Sequence, residues 1–135
     1  MSDYTVLRAA DAPDLTGDAA GGFFAYARSM GSEQLALNLR VLAPRSAHVP
    51  PGTDPAQGHS HVTIEEIYFV VDGEIRIKAG DDVVRLGPSD AILLPPATPR
   101  LVRNDSDVEA SVLMVSVRVD DHAAESRAHE DFWRV

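Results

Sequence analysis

Gly52 to Gly73 reads GTDPAQGHSHVTIEEIYFVVDG, and its centre decides how the chain is understood. His59 and His61 are one residue apart. On a β-strand that spacing puts both imidazoles on the same face, so two nitrogen donors converge. Glu65 and Glu66 follow after a short connection, from which a carboxylate on a paired strand can approach the imidazoles from beside them. Two histidines and one carboxylate are the donor set of non-haem iron and of some zinc and manganese sites. A bare His-x-His on a strand is more often a pair of surface histidines, so the reading depends on the surrounding pattern.

Outward from this stretch the chain reads as short strands and turns. Upstream, Pro44, Pro50, Pro51, Gly52, Pro55 and Gly58 form a density of breakers that only a loop tolerates. Before it, Leu35, Leu37, Leu39 and Val41 alternate with Ala36, Asn38, Arg40 and Leu42 at the period of a strand, and Phe23 to Met30 is also read as β-structure. Downstream, Glu66 to Val71 runs into Asp72-Gly73, read as a hairpin turn that returns through Glu74 to Ala79. Gly80-Asp81, Gly87-Pro88, Pro95-Pro96 and Asn104-Asp105 punctuate further strands at Val83–Leu86, Ala91–Leu94, Arg100–Arg103 and Ala110–Val119. The expected architecture is all-β, a sandwich, jelly roll or barrel. Residues 1–22 read as an N-terminal arm with one short strand at Tyr4–Arg8, residues 23–119 as the barrel, and residues 120–135 as a polar tail. Phe132 and Trp133 in that tail are expected to pack on the barrel exterior or on a partner subunit.

Composition excludes several functions. A chain of 135 residues has the length of one ordinary domain. It has no cysteine, so disulfides and thiolate ligands are ruled out and any metal must be held by nitrogen and oxygen. Twelve Lys and Arg against 21 Asp and Glu give a formal charge of −9. Dispersed acidity of that kind repels phosphate backbones, so nucleic acid is not an expected partner. No apolar run approaches the roughly 18 residues of a membrane span, and Met1 to Ala10 lacks the pattern of a secretory signal, so a cytoplasmic, membrane-free setting is expected. No phosphate-cradling loop, dinucleotide fingerprint or GxSxG elbow occurs.

The segment resembles the first motif of the cupin superfamily: Gly, about five residues, His-x-His, three or four residues, Glu, six residues, Gly. Here four residues separate His61 from Glu66 and six separate Glu66 from Gly73, while Gly52 sits one residue early. The stretch GPSDAILLPPATPRLVRN, from Gly87 to Asn104, is similar to the second motif. It departs at Ala97, where the family has Gly, and at Arg100, where the family has its last metal-binding His. The resemblance implies a cupin double-stranded β-helix, the jelly-roll barrel, with His59, His61 and Glu66 as ligands of a divalent metal such as Fe, Mn, Ni, Co or Zn. Glu66 is preferred to Glu65 because it meets the spacing to Gly73 and alternates in phase with Tyr68 and Val70. The family hosts enzymes and binding modules alike, so no reaction follows from the fold.

Arg100 leaves three arrangements open. An arginine has no lone pair to offer a metal. At about 5 Å from a divalent ion, with an effective dielectric near 20, it would feel roughly 6–7 kcal/mol of repulsion before any carboxylate is counted. In the first arrangement the metal binds and Arg100 stands off to fork an anionic ligand. In the second, Arg100 pairs with Glu66 and a metal-free pocket binds a small anion. In the third, Arg100 is solvated at a strand end. Tyr68 and Gln57 are further candidates for contacting a ligand. Arg40 and Asn38 can face the pocket or water, and His48, His122 and His129 read as surface residues. The expectation is a cupin that binds a divalent metal and a small anionic organic molecule, with Arg100 as the anion anchor; the alternative is a non-catalytic, metal-free ligand-binding module. A homodimer is expected by analogy with small barrels of this kind.

Overall fold

The computed structural model describes residues 3–16 and 21–135. The described strands are β1 (Gly21–Ala25), β2 (Leu35–Leu42), β3 (Ser46–Ala47), β4 (Gly58–His61), β5 (Glu66–Asp72), β6 (Ile75–Ala79), β7 (Asp82–Leu86), β8 (Ala91–Leu94), β9 (Arg100–Asn104), β10 (Ala110–Val117) and β11 (Ser126–His129). A single turn of helix, α1 (His122–Glu125), precedes β11. The strands form two antiparallel sheets, ordered β1-β2-β10-β5-β8 and β11-β4-β9-β6-β7, with β3 added on β9. The expected jelly-roll barrel is what the chain adopts.

Alternation along the strands selects the core. Leu42, Tyr68, Val70, Leu94, Val112 and Met114 turn inward from the first sheet and meet Ile75, Ile77, Leu86 and Val102 from the second. Burying each of the Leu, Ile, Val and Met side chains among them stabilises the fold by about 1.5–3 kcal/mol. Tyr68 and Met114 of this core also line a cavity. Asn104, wholly buried, fixes the exit of β9: its Nδ2 donates to the carbonyls of Leu42, Ala43 and Val108, and its Oδ1 accepts from Ser106.

Several local expectations are corrected. Asp72-Gly73 is a tight turn but not a hairpin, because β5 and β6 lie in different sheets. Such a dipeptide dictates a reversal without choosing the strand's partner. Glycine is needed there twice over: φ is +74°, and an added Cβ would lie 2.6 Å from the Glu109 carbonyl oxygen. The hairpin is one turn later, at Gly80-Asp81, where β6 and β7 pair from Ile75↔Leu86 to Ala79↔Asp82. Tyr4–Arg8 forms no strand; a 3-10 turn at Ala9–Asp11 follows it. The arm is instead pinned to β1 by the Leu15 amide on the Phe23 carbonyl. Strand β1 ends at Ala25, and the chain turns from Tyr26 to Gly31.

The tail departs most from its reading. Ser126–His129 pairs with β4 along its whole length, from Ser126↔His61 to His129↔Gly58, so residues 120–135 complete the second sheet. Trp133 packs with Ala47 and Leu101 on the chain's own barrel, and the guanidinium carbons of Arg76 and Arg103 lie 5.2 and 5.7 Å from its ring centre. No helix among the described residues is long and apolar enough to cross a membrane.

The outer face of the first sheet is apolar. Register aligns Leu39, Leu113, Phe69 and Ala91 in one row and Leu37, Val115, Ile67 and Leu93 in the next. Ile67, Phe69 and Leu93 are 36–54 % exposed.

Candidate metal centre and ligand cavity

Strand β4 carries the sequence Gly-His-Ser-His, and its alternation sorts the side chains. His59 and His61 face inward, with ring centres 5.1 Å apart. Ser60 points the other way and meets His129 Nε2 at 2.8 Å, so His129, read from sequence as a surface residue, fastens the outer side of the ligand strand. Glu66 opens β5, in the opposite sheet rather than on a strand paired with β4. The carboxylate therefore reaches the imidazoles across the barrel. Its approach is held by Glu125, which accepts hydrogen bonds from the Thr63 and Ile64 amides at 2.7 and 2.8 Å and from the Thr63 hydroxyl at 2.8 Å. Those donors lower the Glu125 pKa. Nothing in the spacing of the tail signalled this clamp on the connection between two of the candidate ligands.

The three expected donors come together. One ligand atom from each of His59, His61 and Glu66 lies within 4.8 Å of the others. Glu66 Oε1 is 3.0 Å from His61 Nε2 and 3.8 Å from His59 Nε2. The same oxygen accepts from the Tyr68 hydroxyl at 3.0 Å and from Arg100 Nη1 at 2.9 Å. Burial alone would raise the Glu66 pKa, but the hydrogen bonds and charges of the two histidines outweigh it and hold the carboxyl well below its usual range. Burial and the neighbouring carboxylate push the Tyr68 phenol well above its ordinary value, so Tyr68 stays a donor to Glu66.

Arg100 stands opposite His59 in the β4–β9 register. Its side chain is 0 % exposed. Besides Glu66 it donates to the Pro95 carbonyl at 2.6 Å, and it is not part of the cavity wall. The pairing of Arg100 with Glu66 is the one drawn in the second of the three arrangements. The guanidinium, expected as an anion anchor, lies behind the carboxylate it neutralises and outside the cavity lining.

The cavity beside the three donors measures about 900 Å³. His59, His61, Glu66, Tyr68 and Gln57 line it, as expected. Arg40 and His48 line it as well. Arg40 is in phase with Leu42 on β2, so period-two alternation carried the signal that it faces inward. His48 sits in the proline-rich loop, where no periodicity applies. Burial and then the charge of Arg40 lower the His48 pKa from 6.5 to about 3. The unfolded chain therefore binds a proton here that the folded chain refuses. This stabilising contribution is full above pH 6.5 and is lost as pH falls toward 3. Relative to a His48→Gln variant, the wild type is expected to lose up to about 1.4 kcal/mol per pH unit in that window. Parallel urea curves at pH 7, 5 and 4 check this, and equal acid sensitivity of the two proteins would refute it.

Two imidazoles and a carboxylate suit a divalent metal that prefers nitrogen and oxygen. The group fits such an ion as a three-donor site. Two features distinguish it from a closed four-donor site. Position 100 supplies a cation instead of a lone pair, and His61 Nδ1 is sealed without an acceptor, whereas a metal-bound histidine ordinarily donates that N–H to a partner.

A family model described as a cupin domain matches residues 45–116. An uncharacterised protein of Methanocaldococcus jannaschii is 31 % identical over 58 residues, which is 43 % of this chain and 46 % of that protein; the chain thus aligns with about half the length of that curated relative. Among solved structures, KdgF from a Halomonas species superposes with a TM-score of 0.69 at 16 % identity, covering 90 % of this chain and 98 % of that one. A sugar phosphate isomerase of Silicibacter pomeroyi superposes with a TM-score of 0.66 at 17 % identity, covering 93 % and 85 %. At such identities the two superpositions show the shared fold.

Proposed function

Since the chain belongs to the cupin family, we propose that it binds a divalent metal through His59, His61 and Glu66 and a small anionic organic molecule in the adjoining cavity. One observation carries this reading: the three donors converge at the wall of a cavity whose charge opposes that of the whole chain. Four arginines line it, Arg28, Arg40, Arg118 and Arg127, against two acids, Glu66 and Asp120. Arg118 is paired with Asp120 and Glu66 with Arg100, while Arg28 and Arg127 add positive charge to the wall. In a protein of formal charge −9, such a wall selects an anion. When bound, the metal supplies Lewis-acid polarisation of a carboxylate or carbonyl oxygen. The protein's own part is to hold the three donors, keep Glu66 ionised and exclude bulk water. The guanidinium behind Glu66 weakens the metal site, and an anion in the cavity offsets part of that repulsion, so metal and anion bind with mutual reinforcement.

Calorimetric titration of untagged protein with Mn, Fe(II), Ni, Co and Zn tests the proposal. About one ion per chain is expected, with bound metal lost in His61→Ala, because removing one of three ligands costs more than the roughly 10- to 100-fold of removing a ligand's outer-shell partner. No binding of any of these ions would overturn the metal half and leave the metal-free ligand module, the reading that the Arg100–Glu66 pair favours.

The remaining expectations join this proposal. A cytoplasmic setting is supported by a chain without cysteine, and a mode of action without nucleic acid by its acidity. We assign the homodimer interface to the outer face of the first sheet. An uncharged apolar surface is complementary to itself under two-fold symmetry, and two copies of so acidic a chain meet with least repulsion across a face that carries no charge. Ile67→Asp is expected to convert the sedimenting species from dimer to monomer with the circular dichroism spectrum unchanged. A wild type that sediments as a monomer at every concentration would remove the assignment.

A further inference from the structure

His48 comes from neither cupin motif, and its two ring nitrogens are put to different uses. Arg40 Nε lies 3.0 Å from His48 Nδ1. An arginine nitrogen can only donate, so Nδ1 must be the acceptor, and the proton of the neutral imidazole is then on Nε2. Arg40 is itself held in place, its Nη1 donating to the carbonyls of Gly22 at 2.9 Å and Val41 at 2.7 Å. The His48 amide donates to the Val102 carbonyl at 2.9 Å, which sets the residue against β9. Its ring stands edge-on between Phe23 and His59, with centres 5.3 and 6.4 Å away.

No acceptor among the described residues engages His48 Nε2. That nitrogen is also not sealed in: the buried, unpaired side-chain nitrogens are His61 Nδ1 and Arg100 Nε. With His48 on the cavity wall, its Nε2–H opens onto the cavity beside His59. A neutral N–H donor of fixed tautomer, with a buried guanidinium behind it, is matched to an oxygen that carries negative charge.

We propose that His48 is a ligand-contacting residue that donates its Nε2–H to an oxygen of a small carboxylate seated in the cavity against His59, with Arg40 fixing the tautomer. The inference rests on the anion-binding reading above and names the class of ligand. It also moves the anion contact from Arg100, which is walled off, to His48, read from sequence as a surface residue, backed by Arg40, which the sequence left facing either pocket or water.

Formate is the probe, as the smallest carboxylate, added to metal-free and zinc-titrated wild type and to His48→Phe and His48→Gln variants. Long-range nitrogen-15 NMR of the imidazoles reads the tautomer directly. Wild type is expected to show a protonated Nε2 and a bare Nδ1 on His48, and a saturable downfield shift of the Nε2 proton as formate is added. Formate binding is expected to weaken about tenfold or more in His48→Phe. His48→Gln, whose amide can accept from Arg40 and donate to the ligand, is expected to retain most of it. That retention separates a contact with the ligand from a packing role, and folding of each variant is checked by its proton spectrum. A proton on Nδ1, or formate binding that shifts other cavity residues and is unchanged in His48→Phe, would overturn the role of His48 and leave anion binding intact. Formate without effect on any cavity resonance of the wild type, with or without zinc, would overturn both.

Discussion

Replacing Glu66 by leucine is expected to destabilise the protein by about 3–5 kcal/mol, the penalty for leaving a buried charge without its partner. Arg100 is 0 % exposed, and its Nε already lacks an acceptor. With the carboxylate removed, the guanidinium keeps only backbone carbonyls, chiefly that of Pro95. Arg100→Met removes the charge together with its need for compensation. The double variant Glu66→Leu, Arg100→Met is therefore expected to be more stable than Glu66→Leu alone, with a coupling of about 2 kcal/mol or more. Urea midpoints for the four proteins measure the cycle. Strict additivity would show that the two side chains do not share a buried pair.

Arg100→His is expected to act in the opposite sense on metal. The β4–β9 register sets residue 100 directly opposite His59, and facing side chains in an antiparallel pair stand about 5 Å apart. A histidine there adds a fourth nitrogen to the donor set and removes the cation that opposes the ion. Without metal the variant is expected to be less stable than wild type by about 3 kcal/mol, because Glu66 loses its guanidinium. With metal it is expected to recover, binding at least about 100-fold more tightly, equivalent to about 2.7 kcal/mol. Titration calorimetry gives the affinity and thermal melts with and without zinc give the recovery. Unchanged affinity would mean that position 100 is not directed at the donor set.

The barrel was legible because its cues are local. His-x-His alternation, the spacing to Glu66 and closely set turn dipeptides each concern residues within a few positions of one another, and the three side chains that converge, His59, His61 and Glu66, were singled out that way. The remainder depended on distant partners. Asp72-Gly73 signals a reversal, yet which sheet receives the returning strand is decided by packing across the barrel. Arg100 could be recognised as unable to ligate, but only the register with His59 and the approach of Glu66 from the opposite sheet decide between a cation facing the cavity and one sealed behind a carboxylate. Glu125 and His129 support the ligand strand and the connection that follows it from more than sixty residues away, and no periodicity in a polar tail announces such contacts.

Strand β11 gives the last stretch of chain an influence beyond its size. Cut at Val119, where composition suggests that the barrel ends, the polypeptide would present β4 with one flank of amides and carbonyls unmatched. That flank could recruit a strand from a neighbouring molecule. The backbone that positions both imidazoles would then be free to fray, and the fragment would tend to precipitate as well as lose its donor geometry. Fusions and affinity tags are accordingly better borne at the other terminus.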